Sequence, residues 1–360
     1  PQEPSTTRGI ALHPHPAGGA MILENGLRVY WITTTSAPKH LLVPPERGSD
    51  LLTASKPIGG TNVISSLQQE FQPLPDWNAD KASPAKSKED VEVESTRIDG
   101  AELRNCKKWR YMAPPTDDTK WFYLWDRQGR VVKVDAQTWQ PDLELQLDEL
   151  KSSTLQGGLR IPTAMILRFS YEQNSKKPNL LFLDPETLAI KSAMRLRFFG
   201  PLVPGVNGDQ LWIFDPSNTR MMSVLNVGDM SIEMHIDHTD FTNYNKTTIP
   251  GLEQLHADWR GEQIIPAGPG RVLWAKDRGL VDNLYHFQIH DGGLSYVNTV
   301  PYNAAAYLAT CAGNPPRLTF PREIERKPEI AVFDLTAPRK EIFAVPTARP
   351  SAAWMDGAGR

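Results

Sequence analysis

The fold is decided by the stretch Val131-Val132-Lys133-Val134-Asp135-Ala136-Gln137-Thr138. An apolar run here leads into an Asp-centred turn, and a second alternating run follows the turn. Residues 180–187 and 330–336 repeat this pattern. A strand, a turn and a returning strand form a β-hairpin, so each copy predicts one hairpin of an antiparallel sheet.

Further hairpin signals extend the pattern along the chain. Asn25-Gly26 lies between apolar runs at 20–23 and 27–33, and Asn-Gly is a strong hairpin signal because both residues tolerate a positive φ. Turn signals also fall near 227–229 and 291–293. Their spacing of roughly 40–60 residues is typical of multi-stranded units that stack on their neighbours to bury both faces. We therefore predict an all-β chain, a β-propeller of six or seven four-stranded blades.

These repeats resemble those of β-propeller proteins of the loosely patterned YVTN and NHL kinds. The resemblance rests on residues 131–147, 180–196, 221–236, 284–300 and 329–345. Trp125-Asp126 is similar to the dipeptide of WD40 repeats, but it does not recur. The resemblance implies a single propeller domain over residues 1–360, closed by N- and C-terminal strands in one blade unless the chain is truncated. A two-domain β-sandwich would also fit turns every 8–12 residues or so, but the longer repeat favours the propeller.

One stretch has a different composition. Ser, Pro, Lys, Asp and Glu dominate residues 73–97, as in the run Lys81-Ala82-Ser83-Pro84-Ala85-Lys86. Such a segment buries too little apolar surface to offset the entropy of ordering it. We predict a flexible surface insertion there.

Charge and composition limit the possible partners and compartments. The net charge of −3 gives no overall basic field, so we expect no nucleic acid partner. No apolar run reaches about 18 residues, so we expect no insertion into a membrane. The chain has two cysteines, Cys106 and Cys311. We favour two buried thiols over a disulfide. We also expect a soluble protein. The sequence leaves open whether its compartment is periplasmic, secreted or other, and whether the chain is part of a longer one.

The densest cluster of possible metal ligands is at residues 235–240. His235, Asp237 and His238 are candidate ligands for a divalent ion because imidazole and carboxylate groups bind such metals. On a strand, His235 and Asp237 share one face and His238 lies on the other, so another part of the chain must supply a further ligand. The competing interpretation is a strand end rich in turn-forming polar residues.

Other candidates for a polar site are His256, Asp258 and His286. His286 and His290 are four residues apart on a predicted strand and therefore share a face. Histidines on neighbouring blades could line a channel, although a histidine with a purely structural role is the commoner case. The sequence contains no phosphate-binding loop, no Gly-x-Ser-x-Gly and no His-Glu-x-x-His, and we predict no cofactor other than a possible divalent metal.

Two functions remain open from the sequence. We expect a non-catalytic, ligand- or protein-binding propeller that acts as an interaction scaffold and binds a protein or peptide on a loop face. The ten tryptophans support this expectation because aromatic side chains dominate binding interfaces. The alternative is a metal-dependent hydrolase of the lactonase or esterase type, in which a bound ion would polarise a carbonyl and acidify a water molecule.

Overall fold

In the computed structural model, the described residues fall into short ranges separated by gaps. They are 10–14, 20–24, 28–34, 58–59, 71–74, 77, 83–87, 94–98, 101–106, 109–113, 120–126, 128–135, 138–150, 155–170, 176–196, 202–205, 208–214, 222–236, 263–267, 270–275, 280–290, 293–305, 310–312, 317–324, 327–335 and 341–346. The chain divides into two compact units. Unit 1 contains residues 1–41 and 70–197 together with Arg360, and unit 2 contains residues 42–69 and 198–359.

The described residues are almost entirely β-strand. The first sixteen strands are β1 (Ile10–Pro14), β2 (Ala20–Glu24), β3 (Arg28–Thr34), β4 (Ile58–Gly59), β5 (Phe71–Pro73), β6 (Ala85–Lys86), β7 (Glu94–Ile98), β8 (Ala101–Cys106), β9 (Trp109–Ala113), β10 (Trp121–Asp126), β11 (Arg130–Asp135), β12 (Pro141–Gln146), β13 (Leu155–Ile161), β14 (Ala164–Phe169), β15 (Leu180–Leu183) and β16 (Ile190–Leu196). The other twelve are β17 (Leu202–Pro204), β18 (Gln210–Phe214), β19 (Met222–Asn226), β20 (Ile232–Ile236), β21 (Gln263–Pro266), β22 (Arg271–Ala275), β23 (Leu280–His290), β24 (Gly293–Ala305), β25 (Thr310–Ala312), β26 (Arg317–Ile324), β27 (Lys327–Asp334) and β28 (Glu341–Pro346). A short 3-10 helix, Asp148–Leu150, follows β12.

The described residues of each unit form three antiparallel sheets. In unit 1 these are sheet 1 (order β1-β2-β3-β8-β7), sheet 2 (β6-β12-β11-β10-β9) and sheet 3 (β13-β14-β15-β16-β5). In unit 2 they are sheet 4 (β17-β18-β19-β20), sheet 5 (β21-β22-β23-β24-β4) and sheet 6 (β25-β26-β27-β28). Sheets 2 to 6 each contain four strands that follow one another in the chain, which is the blade of a β-propeller. The predicted all-β, propeller-type fold is confirmed, whereas the number of blades and the single domain over 1–360 stay predictions.

The Asp-centred turn that predicted the fold has a defined hydrogen-bond pattern. Between β11 and β12, the backbone N–H and Oγ1 of Thr138 donate to Asp135 Oδ1, at 2.9 and 3.1 Å. The backbone N–H of Trp139 donates to the Asp135 carbonyl at 2.8 Å, and Trp139 adopts a φ of 63°. The turn therefore reverses the chain by placing a bulky residue in the left-handed region.

The same turn recurs in the next two sheets. Between β15 and β16, Thr187 donates its N–H and Oγ1 to Asp184 Oδ1, and Leu188 adopts a φ of 61°. Between β19 and β20, Asn226 takes the place of the aspartate and Met230 has a φ of 61°. The hairpins predicted at these places, and those near 291–293 and Asp334, are confirmed by the strand pairs β19–β20, β23–β24 and β27–β28.

A register irregularity accompanies this turn in four sheets. In each case it follows the residue two positions before the Asp or Asn of the turn. These residues are Lys133, Phe182, Val224 and Val332. A β-bulge at a fixed position changes the direction of the strand before the turn in the same way in each sheet. The four positions are therefore structurally equivalent.

The stretch 73–97, predicted as a flexible insertion, is ordered where it is described. Phe71–Pro73 pairs with the outer strand of sheet 3, Ala85–Lys86 pairs with that of sheet 2, and Glu94–Ile98 joins sheet 1. Leu74 and Trp77 pack partly buried against the core of unit 1. An open sheet edge offers unpaired N–H and C=O groups, so a polar segment can pair there without forming a core of its own. The flexible insertion over 73–97 as a whole stays a prediction.

The cores lie between neighbouring sheets of one unit. In unit 1, sheets 2 and 3 share a core in which Trp125 packs edge-to-face on Phe169 at 5.1 Å. In unit 2, Trp212 and Trp274 belong to the core between sheets 4 and 5, and Phe320 to that between sheets 5 and 6. Trp125, Trp212 and Trp274 are therefore core residues. No helix in the described ranges is long and apolar enough to cross a membrane.

Candidate functional site

The predicted metal cluster is only partly described. His235 lies on β20, is buried, and places its Nδ1 3.1 Å from the Oγ of Ser223 on β19. Asp237 and His238 lie outside the described residues, as do His256 and Asp258. Among the residues that are described, no group of three or more His, Cys, Asp or Glu side chains could hold a metal ion. The metal site therefore stays a prediction.

His286 is buried in a polar cluster of unit 2. Its Nδ1 lies 3.1 Å from Asn298 Oδ1, so Nδ1–H donates and Nε2 is left as an acceptor. Burial, assisted by the positive charge of Arg271 and opposed by this hydrogen bond, lowers the pKa of His286 from 6.5 to about 4. The imidazole is therefore neutral at physiological pH.

The surroundings of His286 are closed to partners. Ser295 and Asn298 share its face of sheet 5, and each has a buried polar atom without a hydrogen bond among the described residues, as does His286 at Nε2. A neutral imidazole with no exposed surface cannot contact a macromolecule. Of the predicted site residues, His286 is thus placed in the interior, and the side chain of His290 lies outside the described part of the chain.

The two cysteines lie on different strands. Cys106 belongs to β8 in unit 1 and Cys311 to β25 in unit 2. Their side chains lie outside the described part of the chain, so the expectation of two free thiols stays a prediction.

A cluster of charged and aromatic side chains in unit 1 was not predicted. We call it the Trp121 cluster. Its members from sheet 2 are Trp121, Tyr123 and Lys133, and those from sheet 3 are Arg160 and Glu186. Trp121 and Tyr123 are two apart on β10, and Tyr123 pairs with Lys133 of β11, so all three point from one face of sheet 2.

A carboxylate bridges the two cations of this cluster. Glu186 Oε2 lies 3.1 Å from Lys133 Nζ, and Glu186 Oε1 lies 3.4 Å from Arg160 Nη2. The side chains of Lys133 and Arg160 are only 3% and 6% exposed, whereas that of Glu186 is 63% exposed. Two buried cations therefore meet a carboxylate that reaches them from the solvent side.

Tyr123 links the two sheets beneath this bridge. Its hydroxyl donates to the carbonyl of Pro185 at 2.7 Å and accepts a hydrogen bond from Arg160 Nη1 at 3.1 Å. Burial raises the pKa of Tyr123 to about 12, although the charge of Arg160 acts in the opposite direction. The phenol is therefore neutral at physiological pH and adds no negative charge to balance the cations.

Trp121 forms the half-buried edge of the cluster. Lys133 Nζ lies 4.5 Å from the centroid of its ring, and Nζ of the exposed Lys120 lies 4.4 Å from it. Both distances suit a cation–π interaction. An indole with two ammonium groups beside it presents an aromatic surface next to positive charge.

The cluster carries more positive than negative charge. Within the described part of the chain, Lys133 and Arg160 share one carboxylate, that of Glu186. The nearby Asp184 uses Oδ1 for hydrogen bonds within its own turn and interacts with the charge of Lys191. The arrangement can therefore accept a further negative group.

The sequence contains a signal for this cluster that the prediction did not use. The position of Lys133 is occupied in the equivalent strands by Phe182, Val224 and Val332, all of them buried. A lysine at a position that is otherwise a buried apolar residue needs a specific partner. Alignment of the repeats against one another would have singled out Lys133.

The comparisons with known proteins place this chain beside distant structural neighbours. No protein-family model matches the chain, and no curated protein sequence matches it. BamB from Moraxella catarrhalis is 10% identical, with a TM-score of 0.37, over 77% of this chain and 89% of that one. The WD40 repeats of RRP9 are 10% identical, with a TM-score of 0.39, over 71% of this chain and 66% of that one. Dihydro-heme d1 dehydrogenase NirN is 10% identical, with a TM-score of 0.41, over 98% of this chain and 77% of that one. Because these TM-scores are below 0.5, none of the neighbours supports an argument about the function of this chain.

Proposed function

We propose that this chain is a non-catalytic binding propeller, an interaction scaffold that recognises an acidic segment of a protein or peptide through the Trp121 cluster. The observation that carries the proposal is the pair of buried cations, Lys133 and Arg160, which share one exposed carboxylate beside a half-buried tryptophan. Trp, Tyr and Arg are the residues most enriched among those that dominate binding energy. Their combination with excess positive charge favours a negatively charged partner.

The position of the cluster supports a partner on a loop face. Glu186 lies in the turn between β15 and β16, and Trp121 pairs with Asp135, where the turn after β11 begins. The binding residues thus lie at strand ends, where a rigid scaffold presents loops to partners.

The proposal is tested with a fluorescently labelled glutamate-rich octapeptide and its lysine counterpart. Fluorescence anisotropy should show saturable binding of the glutamate peptide, weakening with added salt, and no comparable binding of the lysine peptide. Trp121→Leu keeps an apolar side chain against the core but removes the aromatic surface, and should weaken binding about tenfold.

The matched control is Tyr296→Leu, because Tyr296 is also a partly buried aromatic packed on a core cluster, but in unit 2. It should leave the affinity unchanged. Equal binding of both peptides, or equal affinity of Trp121→Leu and the unsubstituted chain, would contradict the proposal.

A further inference from the structure

We infer that Glu186 is a built-in competitor for the binding site and that the partner's own carboxylate replaces it between Lys133 and Arg160. This inference rests on the proposed function and adds to it the chemical group that is recognised and the way in which access is regulated. An acidic side chain of the partner would take the position that Glu186 holds in the free chain.

The geometry of Glu186 is that of a ligand rather than of a buried ion pair. Its carboxylate places one oxygen on Lys133 and the other on Arg160, while most of the side chain is in solvent. An exposed carboxylate leaves a site at low cost because water solvates it again, whereas the two buried cations keep their need for a negative partner. Exchange of one carboxylate for another therefore preserves the charge balance of the site.

The backbone of the turn is held independently of the Glu186 carboxylate. Asp184 Oδ1 accepts hydrogen bonds from the N–H groups of Glu186 and Thr187, at 3.0 and 2.8 Å. Lys133 Nζ also donates to the main-chain carbonyl of Glu186 at 2.8 Å. The side chain can therefore rotate away without loss of the turn, and Lys133 stays anchored while the carboxylates exchange.

The contact between Arg160 and Glu186 is long and uses one nitrogen of the guanidinium. Its Nη1 and Nη2 bond Tyr123 and Glu186, but its buried Nε makes no hydrogen bond among the described residues. A guanidinium binds a carboxylate best through two parallel N–H groups. The 3.4 Å contact from Glu186 uses one of them, so an incoming carboxylate not constrained by the turn can bind Arg160 more closely.

The test compares Glu186→Gln with Glu233→Gln for binding of the same glutamate octapeptide. Glu186→Gln removes the competing charge but keeps an oxygen that can accept from Lys133. It should raise the affinity about three- to fivefold, the scale of an exposed ion pair. Glu233 is an exposed carboxylate on sheet 4 of unit 2, so Glu233→Gln removes the same charge outside the Trp121 cluster and should leave the affinity unchanged.

A second variant covers the case in which Glu186→Gln unfolds. Glu186→Asp keeps the charge but shortens the side chain by one methylene, and should also raise the affinity. Free glutamate should displace the peptide from either variant more effectively than inorganic phosphate does. Stronger displacement by phosphate would overturn the assignment of a carboxylate ligand.

The outcomes separate the two proposals. If the glutamate peptide binds and Trp121→Leu weakens it, but neither Glu186 variant raises the affinity, the competitor role is wrong and the proposed function stands. If the unsubstituted chain binds poorly and Glu186→Gln binds well, both are supported. If neither binds, both are overturned.

Discussion

The repeated turn places a buried leucine in a backbone conformation that disfavours it, and this has a measurable consequence. Leu188 is fully buried and has a φ of 61°. The Cβ of an L-residue costs roughly 1–2 kcal/mol in the left-handed region, and glycine avoids this cost. Leu188→Ala loses about 2–5 kcal/mol of packing and keeps the strain. Leu188→Gly loses the same packing and relieves the strain.

The order of the two variants follows from these magnitudes. Glycine also gains freedom in the unfolded chain, which destabilises the fold by about 0.5–1 kcal/mol. The two effects partly cancel, so we expect Leu188→Gly to be as stable as Leu188→Ala or up to about 1.5 kcal/mol more stable. At Leu181, which is equally buried in the same core but lies on β15, glycine should be less stable than alanine by about 0.5–1 kcal/mol.

The assay is urea unfolding of the four variants, followed by tryptophan fluorescence and circular dichroism. At each position, the free energy of unfolding of the alanine variant is subtracted from that of the glycine variant. This difference should be more favourable to glycine at Leu188 than at Leu181 by about 1–2 kcal/mol. The opposite outcome would be that the glycine variant is less stable than the alanine variant, by the same amount at both positions. The left-handed residue would then not be strained, and the physical account of the turn would be refuted.

Three further outcomes are expected. Because burial and the charge of Arg271 lower the pKa of His286 from 6.5 to about 4, the unfolded chain binds a proton in that pH range that the folded chain does not. The free energy of unfolding should therefore fall by up to about 3 kcal/mol as the pH drops from about 6.5 to 4. Urea midpoints at each pH should show a smaller fall for His286→Gln. Burial would raise the pKa of Asp184, but hydrogen bonds from Thr187 and Glu186 outweigh burial and hold that pKa below 3.8. The ionised Asp184 therefore stabilises the fold above pH 3.8, and this stabilisation is lost as the pH falls through the folded-state pKa. Asp184→Asn should show a smaller loss of thermal stability below about pH 4 than the unsubstituted chain. Elemental mass spectrometry of tag-free protein should find no stoichiometric divalent ion, whereas one ion per chain, lost in His235→Ala, would favour the hydrolase.

The fold was predictable because its determinants are local in sequence. Asp184 and Thr187 are three residues apart, and their hydrogen bonds form within one turn whatever surrounds it. The apolar run Leu180–Leu183 is likewise a property of one strand. The stretch 73–97 differs, since Ala85–Lys86 pairs with the edge of β12, which is distant in sequence. The composition of a segment indicates how much apolar surface the segment can bury by itself. It does not indicate which sheet edge the segment can pair with.

The candidate site was not predictable from local patterns. Tyr123 and Lys133 become neighbours through the register of two strands, and Arg160 comes from the adjacent sheet. His286 was selected by residue type, yet its hydrogen bond to Asn298 serves the interior of sheet 5. Residue types that often bind metals or catalyse reactions point to a site only when the packing exposes them, and packing is a property of the assembled sheets.

The repeat separates the residues that make the fold from those that can bind. In the turns after β15 and β19, the Asp or Asn position is constrained by its hydrogen bonds, whereas the position two residues later is Glu186 in sheet 3 and Gly228 in sheet 4. That position can vary because only its N–H is used by the turn. Glu186 meets the buried Lys133 because the third strand of the adjacent sheet 2 carries a lysine where the equivalent strands carry a buried apolar residue. The joint occurrence of Glu186 and Lys133 is therefore a local departure from the repeat, which is where a function specific to this chain is expected to lie.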